Sequence, residues 1–250
     1  MKNESSIGKL YLTGAFSLAG TSVVAARFVS GTIGVFTIAA VSLFFASLTL
    51  LPICARRLVA AFRSMTLTTG IEILLQAVFG MLLFRFCLFN GISRTSSLEA
   101  GVLTGATPAI TALLAWVFLK EKLRANTFFG LAATVTGVVL VQGLAGLRGG
   151  LEPEHLFGNI LVLCAAASES IFNILSRTAV LNGAKQSRPL DPLTQTALVT
   201  MTALILCCVP AAFEQPVVRL ASLNFVGWAA LLWLGIFVTA LAYICWYSGI

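Results

Sequence analysis

The chain has 250 residues, 58% of them hydrophobic and only 10% charged, and it carries a net charge of +7. A soluble domain is nearer a quarter charged, and a mean hydropathy of +0.98 points to a polytopic membrane protein instead. The positive charge lies in loops between apolar runs, so it is not a nucleic-acid footprint, and six cysteines without a CxxC pair argue against a disulfide framework or a zinc site.

In chain order, Lys2 and Lys9 precede an apolar run that is long for a signal peptide and is followed by further spans. It reads as a first membrane helix, about 10–26, with Gly20, Thr21 and Ser22 at its centre. A short turn leads to a second span at about 35–53, then a basic loop with Arg56, Arg57 and Arg63, then a third span at about 70–89.

The stretch SLEAGVLTGATPAITALLAWVFLKEKLR forms the fourth. Its 20 uncharged residues between Glu99 and Lys120 would make a helix about 30 Å long, the thickness of a hydrocarbon core. Its first half is small and polar, and Pro108 predicts a bend there. A Gly-rich fifth span (about 128–144) precedes the polar connector GLRGGLEPEH. Sixth, seventh and eighth spans follow at about 156–175, 192–213 and 225–250.

The basic residues orient this layout. With the N-terminus cytoplasmic, the inner segments hold Lys2, Lys9, Arg56, Arg57, Arg63, Lys120, Lys122, Arg124, Arg177, Lys185 and Arg188. The outer ones hold only Arg27, Arg94, Arg148 and Arg219, as the positive-inside rule requires.

A repeat runs through the chain. The third span ends CLFNGI (Cys87 to Ile92) and the eighth ends CWYSGI (Cys245 to Ile250), 158 residues apart. Pro52 and Pro210 fall at the same offset. Each unit therefore holds five spans, and an odd number turns the second unit upside down relative to the first, as in many secondary transporters. The predicted fold is an all-α polytopic bundle of about eight transmembrane helices. Its first unit covers 1–146, an outer connector 147–155, and a second, incomplete unit of three helices 156–250. The unit's last two spans, roughly 50 to 60 residues, are expected beyond Ile250.

The fourth span and the FFGLAATVTGVVLV after it resemble the fourth-to-fifth span signature of EamA-type transporters, in the drug/metabolite transporter superfamily. The stretch TSVVAARFVSGTIGVFTIAAVSLFFASLTLLP is similar to that family's first two spans. The resemblance implies a ten-helix, two-repeat bundle that moves small metabolites, often outward, across the inner membrane.

Charged groups inside a bilayer are costly and need a reason. Glu169, in SESIFN, lies halfway along the sixth span. It reads as a proton-coupling or cation-binding carboxylate, or as a protonated acid bonded to a neighbouring helix. Ser168 and Asn173 flank it, and Thr21 and Ser22 are its counterparts in the first span.

On the third span Glu72, Gln76, Gly80, Cys87, Asn90 and Gly91 share an arc of about 100°, which reads as a cavity face. Arg85 falls outside it and is expected to snorkel to the headgroups, the alternative being an anion-attracting charge. Thr104 belongs to the polar half of the fourth span. Glu99 is placed to complement the helix dipole or to form a gate pair with Arg94. Gly101 and Gly105 form a GxxxG expected to pack closely against a helix, beside Pro108. Tyr243, Trp246 and Tyr247 read either as cavity lining or as an interfacial belt. His155, with Glu152 and Glu154, reads as a solvated loop.

No nucleophile elbow, phosphate loop or metal motif appears, so no enzyme activity, metal or cofactor is expected. The predicted protein is a secondary transporter of amino-acid-like or drug-like solutes, an exporter working by alternating access at a midplane cavity in the inner membrane. Its partners are the solute and the lipid bilayer, with a proton or counter-substrate and a homo-oligomer as open alternatives. The competing reading is a non-transporting membrane fragment, or a half that assembles with another chain.

Overall fold

The computed structural model describes residues 2–120, 129–137, 140, 153–183 and 190–249. They form α1 (Lys2–Arg27), α2 (Val35–Ser64), α3 (Leu67–Ile92), α4 (Ser97–Thr104), α5 (Thr107–Phe118), α6 (Pro153–Gly183), α7 (Pro192–Ala212), a short α8 (Pro216–Ala221) and α9 (Phe225–Gly249). Among the described residues six helices are long and apolar enough to cross a membrane: α2, α3, α4 with α5, α6, α7 and α9. The first expected span is α1, a helix of 26 residues. Residues 129–137 of the fifth are helical. The rest of that span, most of the 147–155 connector, and Lys122, Arg124, Arg148, Lys185 and Arg188 lie outside the described residues.

Helices are the natural outcome for such a chain, because inside a bilayer every backbone polar group must be satisfied within its own segment. Their starts are written locally. Thr66, Ser96, Asp191 and Asn224 each accept a bond from the amide three residues on, at the heads of α3, α4, α7 and α9. The α1–α2 turn relies on Gly31 at φ 84°, a conformation in which a side chain would be strained.

The outer surface is apolar. Leu67, Phe213 and Phe225 are more than four-fifths exposed, and Leu10, Phe44, Ile53 and Phe62 face outward too. Lipid tails are as apolar as these side chains, so helix association rests on close packing and on bonds between helices rather than on water exclusion. The packing is tight where glycines meet. A Cβ on Gly91 of α3 would lie 2.9 Å from the Gly158 carbonyl oxygen of α6. A Cβ on Gly249 of α9 would lie 3.0 Å from the Gly8 carbonyl oxygen of α1.

Between these two crossings α2 runs antiparallel to α7 and is tied to it at both ends. Glu214, just past α7, accepts from the Phe36 and Thr37 amides (3.1 and 2.7 Å) at the head of α2. Arg57, late in α2, donates to Asp191 (3.0 Å), the N-cap of α7. Burial raises the Asp191 carboxyl, but bonds from the Thr194 hydroxyl and amide and from Arg57 outweigh it and hold the group below the usual carboxylate range.

Two spans carry π-helical turns, Val78–Leu83 in α3 and Leu234–Leu241 in α9. A π turn disturbs the regular bonding ladder, and neighbouring side chains answer it. The Phe79 carbonyl accepts from the Ser168 hydroxyl (2.7 Å), and the Gly80 carbonyl from the Tyr243 hydroxyl (2.6 Å).

Candidate functional site

The fourth expected span is interrupted. Its helix stops at Thr104, turns at Gly105–Ala106 and restarts with Pro108 in the first turn of α5. Proline has no N–H, so the Thr104 carbonyl loses its helical donor. The Thr107 hydroxyl donates to it instead (2.8 Å). That same hydroxyl lies 2.9 Å from Glu169 Oε2 on α6. Ser170 donates to the Thr107 carbonyl (3.1 Å), and Asn173 to the Thr111 hydroxyl (3.2 Å). The α5–α6 contact is thus a polar seam at mid-depth.

Glu169 also borders two small chambers of about 40 Å³ each, which share Ala19, Glu169, Val238 and Tyr243 as walls. One extends to Asn173, Phe172 and Trp246, the other to Ser22, Phe84 and Arg85. Each has room for water and none for a metabolite. The second chamber brings an acid and a base, Glu169 and Arg85, onto one surface.

Arg85 does not snorkel. It is 6% exposed and donates to the hydroxyls of Ser42 on α2 and Thr239 on α9. The π turn just before it is the physical reason. A helical wheel drawn at 100° per residue fails across Val78–Leu83, because the wider π turn rotates everything that follows. Arg85 therefore points into the bundle. Gln76, Gly80, Cys87 and Gly91, which that wheel put on one arc, are buried as well, but against helices rather than a cavity: Gly80 lies under Phe172, and Gly91 on Gly158.

The other expected residues divide. Ser22 and Asn173 reach the chambers beside Glu169, while Ser168 serves the Phe79 carbonyl. Thr21 faces an outer groove between α1 and α9, where it accepts from Trp233 Nε1 (2.9 Å). Gln76 accepts from Gln195 Nε2 (3.1 Å) and from the Tyr247 hydroxyl in a separate buried cluster. Asn90 and Thr104 bond within their own helices, to Phe86 and Ala100 (2.8 and 2.9 Å).

Gly101 and Gly105 are exposed, and among the described residues a Cβ on Gly101 would meet nothing. The expected GxxxG contact is not made there, because Ala100, Leu103 and Thr107 form the buried face of that span. The Glu99–Arg94 gate is also not formed. Glu99 accepts from Thr95 and lies 3.7 Å from His155, whereas Arg94 donates to the Asn90 carbonyl (2.8 Å) and sits over the Phe157 ring. Nor do Tyr243, Trp246 and Tyr247 form a surface belt. Their polar tips bond inward, to the Gly80 carbonyl, Ser176 and Gln76.

Sequence reasoning missed Thr107 as the partner of Glu169. The signal was the Thr-Pro pair, which puts a hydroxyl beside a carbonyl that has lost its amide.

A helical bundle with an apolar exterior, a polar centre and, among the described residues, six spans defines a multi-pass membrane protein. Residues 6–142 match the EamA-like transporter family, and residues 86–248 match solute carrier family 35. The chain belongs to the EamA-like transporter family, whose place is the membrane and whose cargo is small solutes. It is 28% identical over 242 residues to the uncharacterized transporter YetK of Bacillus subtilis (strain 168), covering 96% of this chain and 70% of that one. It is 23% identical over 181 residues to the uncharacterized transporter YyaM of the same organism, spanning 72% of this chain and 57% of YyaM. A solved crystal structure superposes with a TM-score of 0.67 at 20% identity, covering 98% of this chain and 79% of the other, a likeness of fold.

Proposed function

We propose that this protein is a proton-coupled secondary transporter that exports small amino-acid-like solutes by alternating access around Glu169. One observation carries the reading: Glu169 and Arg85, an acid and a base, border one small mid-depth chamber walled by Phe84 and Tyr243. A solute with an ammonium and a carboxylate complements that pair. Such a charge pair in a membrane interior marks a transport path far more often than a structural prop.

The frame around it is an inverted repeat of a five-helix unit, complete over 1–146 and represented by three helices over 156–250. The N-caps Thr66 and Asn224, the prolines inside α2 and α7, and the glycines at the two crossings (Gly91 and Gly249) all recur 158 residues apart. The two π turns overlap at that offset. The end that gathers Lys9, Arg56, Arg57, Arg63 and Lys120 faces the cytoplasm, and with it the N-terminus.

Flux into proteoliposomes under an imposed pH gradient, read with a panel of labelled amino acids and uncharged analogues, tests this. Gradient-driven flux of a zwitterion is expected, lost in Glu169→Gln. Unchanged flux in that variant would remove the carboxylate from the mechanism.

A further inference from the structure

We infer that Thr107 is a positioning residue that couples the protonation state of Glu169 to the bend in the fourth span. The inference rests on the reading of Glu169 as the proton carrier. The Thr107 hydroxyl has one hydrogen and two acceptors in reach: the Thr104 carbonyl at 2.8 Å and Glu169 Oε2 at 2.9 Å. It cannot donate to both.

With Glu169 neutral, the hydrogens close into a chain. The carboxylic acid donates to Thr107 Oγ, and the Thr107 hydroxyl donates to the Thr104 carbonyl. That carbonyl needs the bond, because Pro108 supplies no amide. With Glu169 ionised, the hydroxyl turns to the carboxylate, where a charge-assisted bond is the stronger one. The Thr104 carbonyl then loses this donor at the Gly105–Ala106 break. Thr107 is buried, so its hydroxyl chooses between these two acceptors. Loss of a proton at α6 thereby loosens the joint between α4 and α5, and gain of a proton locks it.

The groups that face Glu169 across its chambers are few. Arg85 comes from α3 and Tyr243 from α9, while α1 presents Ala19 and Ser22 without a charge. Arg85 is engaged by Ser42 and Thr239. Thr107 is the side chain that bonds the carboxylate directly from the fourth span.

Amide hydrogen exchange at Gly105, Ala106, Ala109 and Ile110, followed over a pH series in lipid nanodiscs and corrected for intrinsic rates, tests the coupling. Wild type and Thr107→Ser should show a step to faster exchange as the pH rises. Thr107→Val should lose the step. Glu169→Gln, whose amide donates to Thr107 at every pH, should stay slow throughout. Persistence of the step in Thr107→Val would overturn the inference, as would its absence in wild type. Flux separates this from the parent reading. If Glu169→Gln abolishes gradient-driven flux but no step exists, the coupling fails and the transporter reading stands. If Glu169→Gln leaves flux intact, the parent reading fails.

Discussion

Helices α6 and α1 are packed alike at one end and differ further along. Each is crossed near one end by a partner span through a glycine pair, Gly158 with Gly91 and Gly8 with Gly249. At mid-length α6 presents Glu169 to Thr107 beneath the cover of α5. In its last third α1 presents Thr21 to Trp233 on an open groove with Gly20 and Val24. The glycine crossings are alike, and the ionisable chemistry is not. A carboxylate is tolerated where hydroxyls and amides can answer it, and the α5–α6 seam supplies them.

The largest expected effect breaks this comparison at its polar side. Glu169→Gln should lower gradient-driven flux at least about tenfold, the equivalent of about 1.4 kcal/mol, whereas Thr21→Val should leave proteoliposome flux near wild type. Equal losses in the two variants would mean that both halves carry the coupling.

The next effect tests the shared frame. Gly158→Val and Gly249→Val each force a side chain against backbone, so each should destabilise by about 1–3 kcal/mol in a thermal melt in detergent. A marked difference between the two would show that the crossings are not equivalent.

A smaller effect is expected at the end where α2 meets α7. The folded-state pKa of Asp191 is depressed, so its contribution is present above the unfolded value of about 3.9 and is lost as the pH falls through the lower folded value. Asp191→Asn should cost under about 1 kcal/mol at neutral pH, because the bridge to Arg57 is largely exposed. The gap from wild type should close in acid, which denaturation at a series of pH values would reveal. The smallest effect has the opposite sign. Gly101→Ala should stabilise by about 0.5 kcal/mol through helix propensity, since the added methyl meets nothing among the described residues. A loss in the same melt would point to a helix seated on that face.

Much of this molecule is written in local signals that survive without a tertiary fold. The apolar runs set the spans, six of them long and apolar enough to cross a membrane among the described residues, because so long an apolar stretch favours a bilayer. Thr66, Ser96, Asp191 and Asn224 cap helices through bonds only three residues away, so those starts are local as well. Pro108 announced the break in the fourth span, and Glu169 stood out because an acid at mid-span is rare.

Facing was decided elsewhere. Arg85 turned inward because a π turn shifted the helix beneath it, and Gly101 and Gly105 face outward because Leu103 and Thr107 form the buried face of that span. Tyr243, Trp246 and Tyr247 became a row of inward donors once α9 lay against α3 and α6. Periodicity states which residues share a side of a helix. Which side is buried is a property of the neighbours, and helix rotation, crossing glycines and side-chain bonds settle it only when the spans meet.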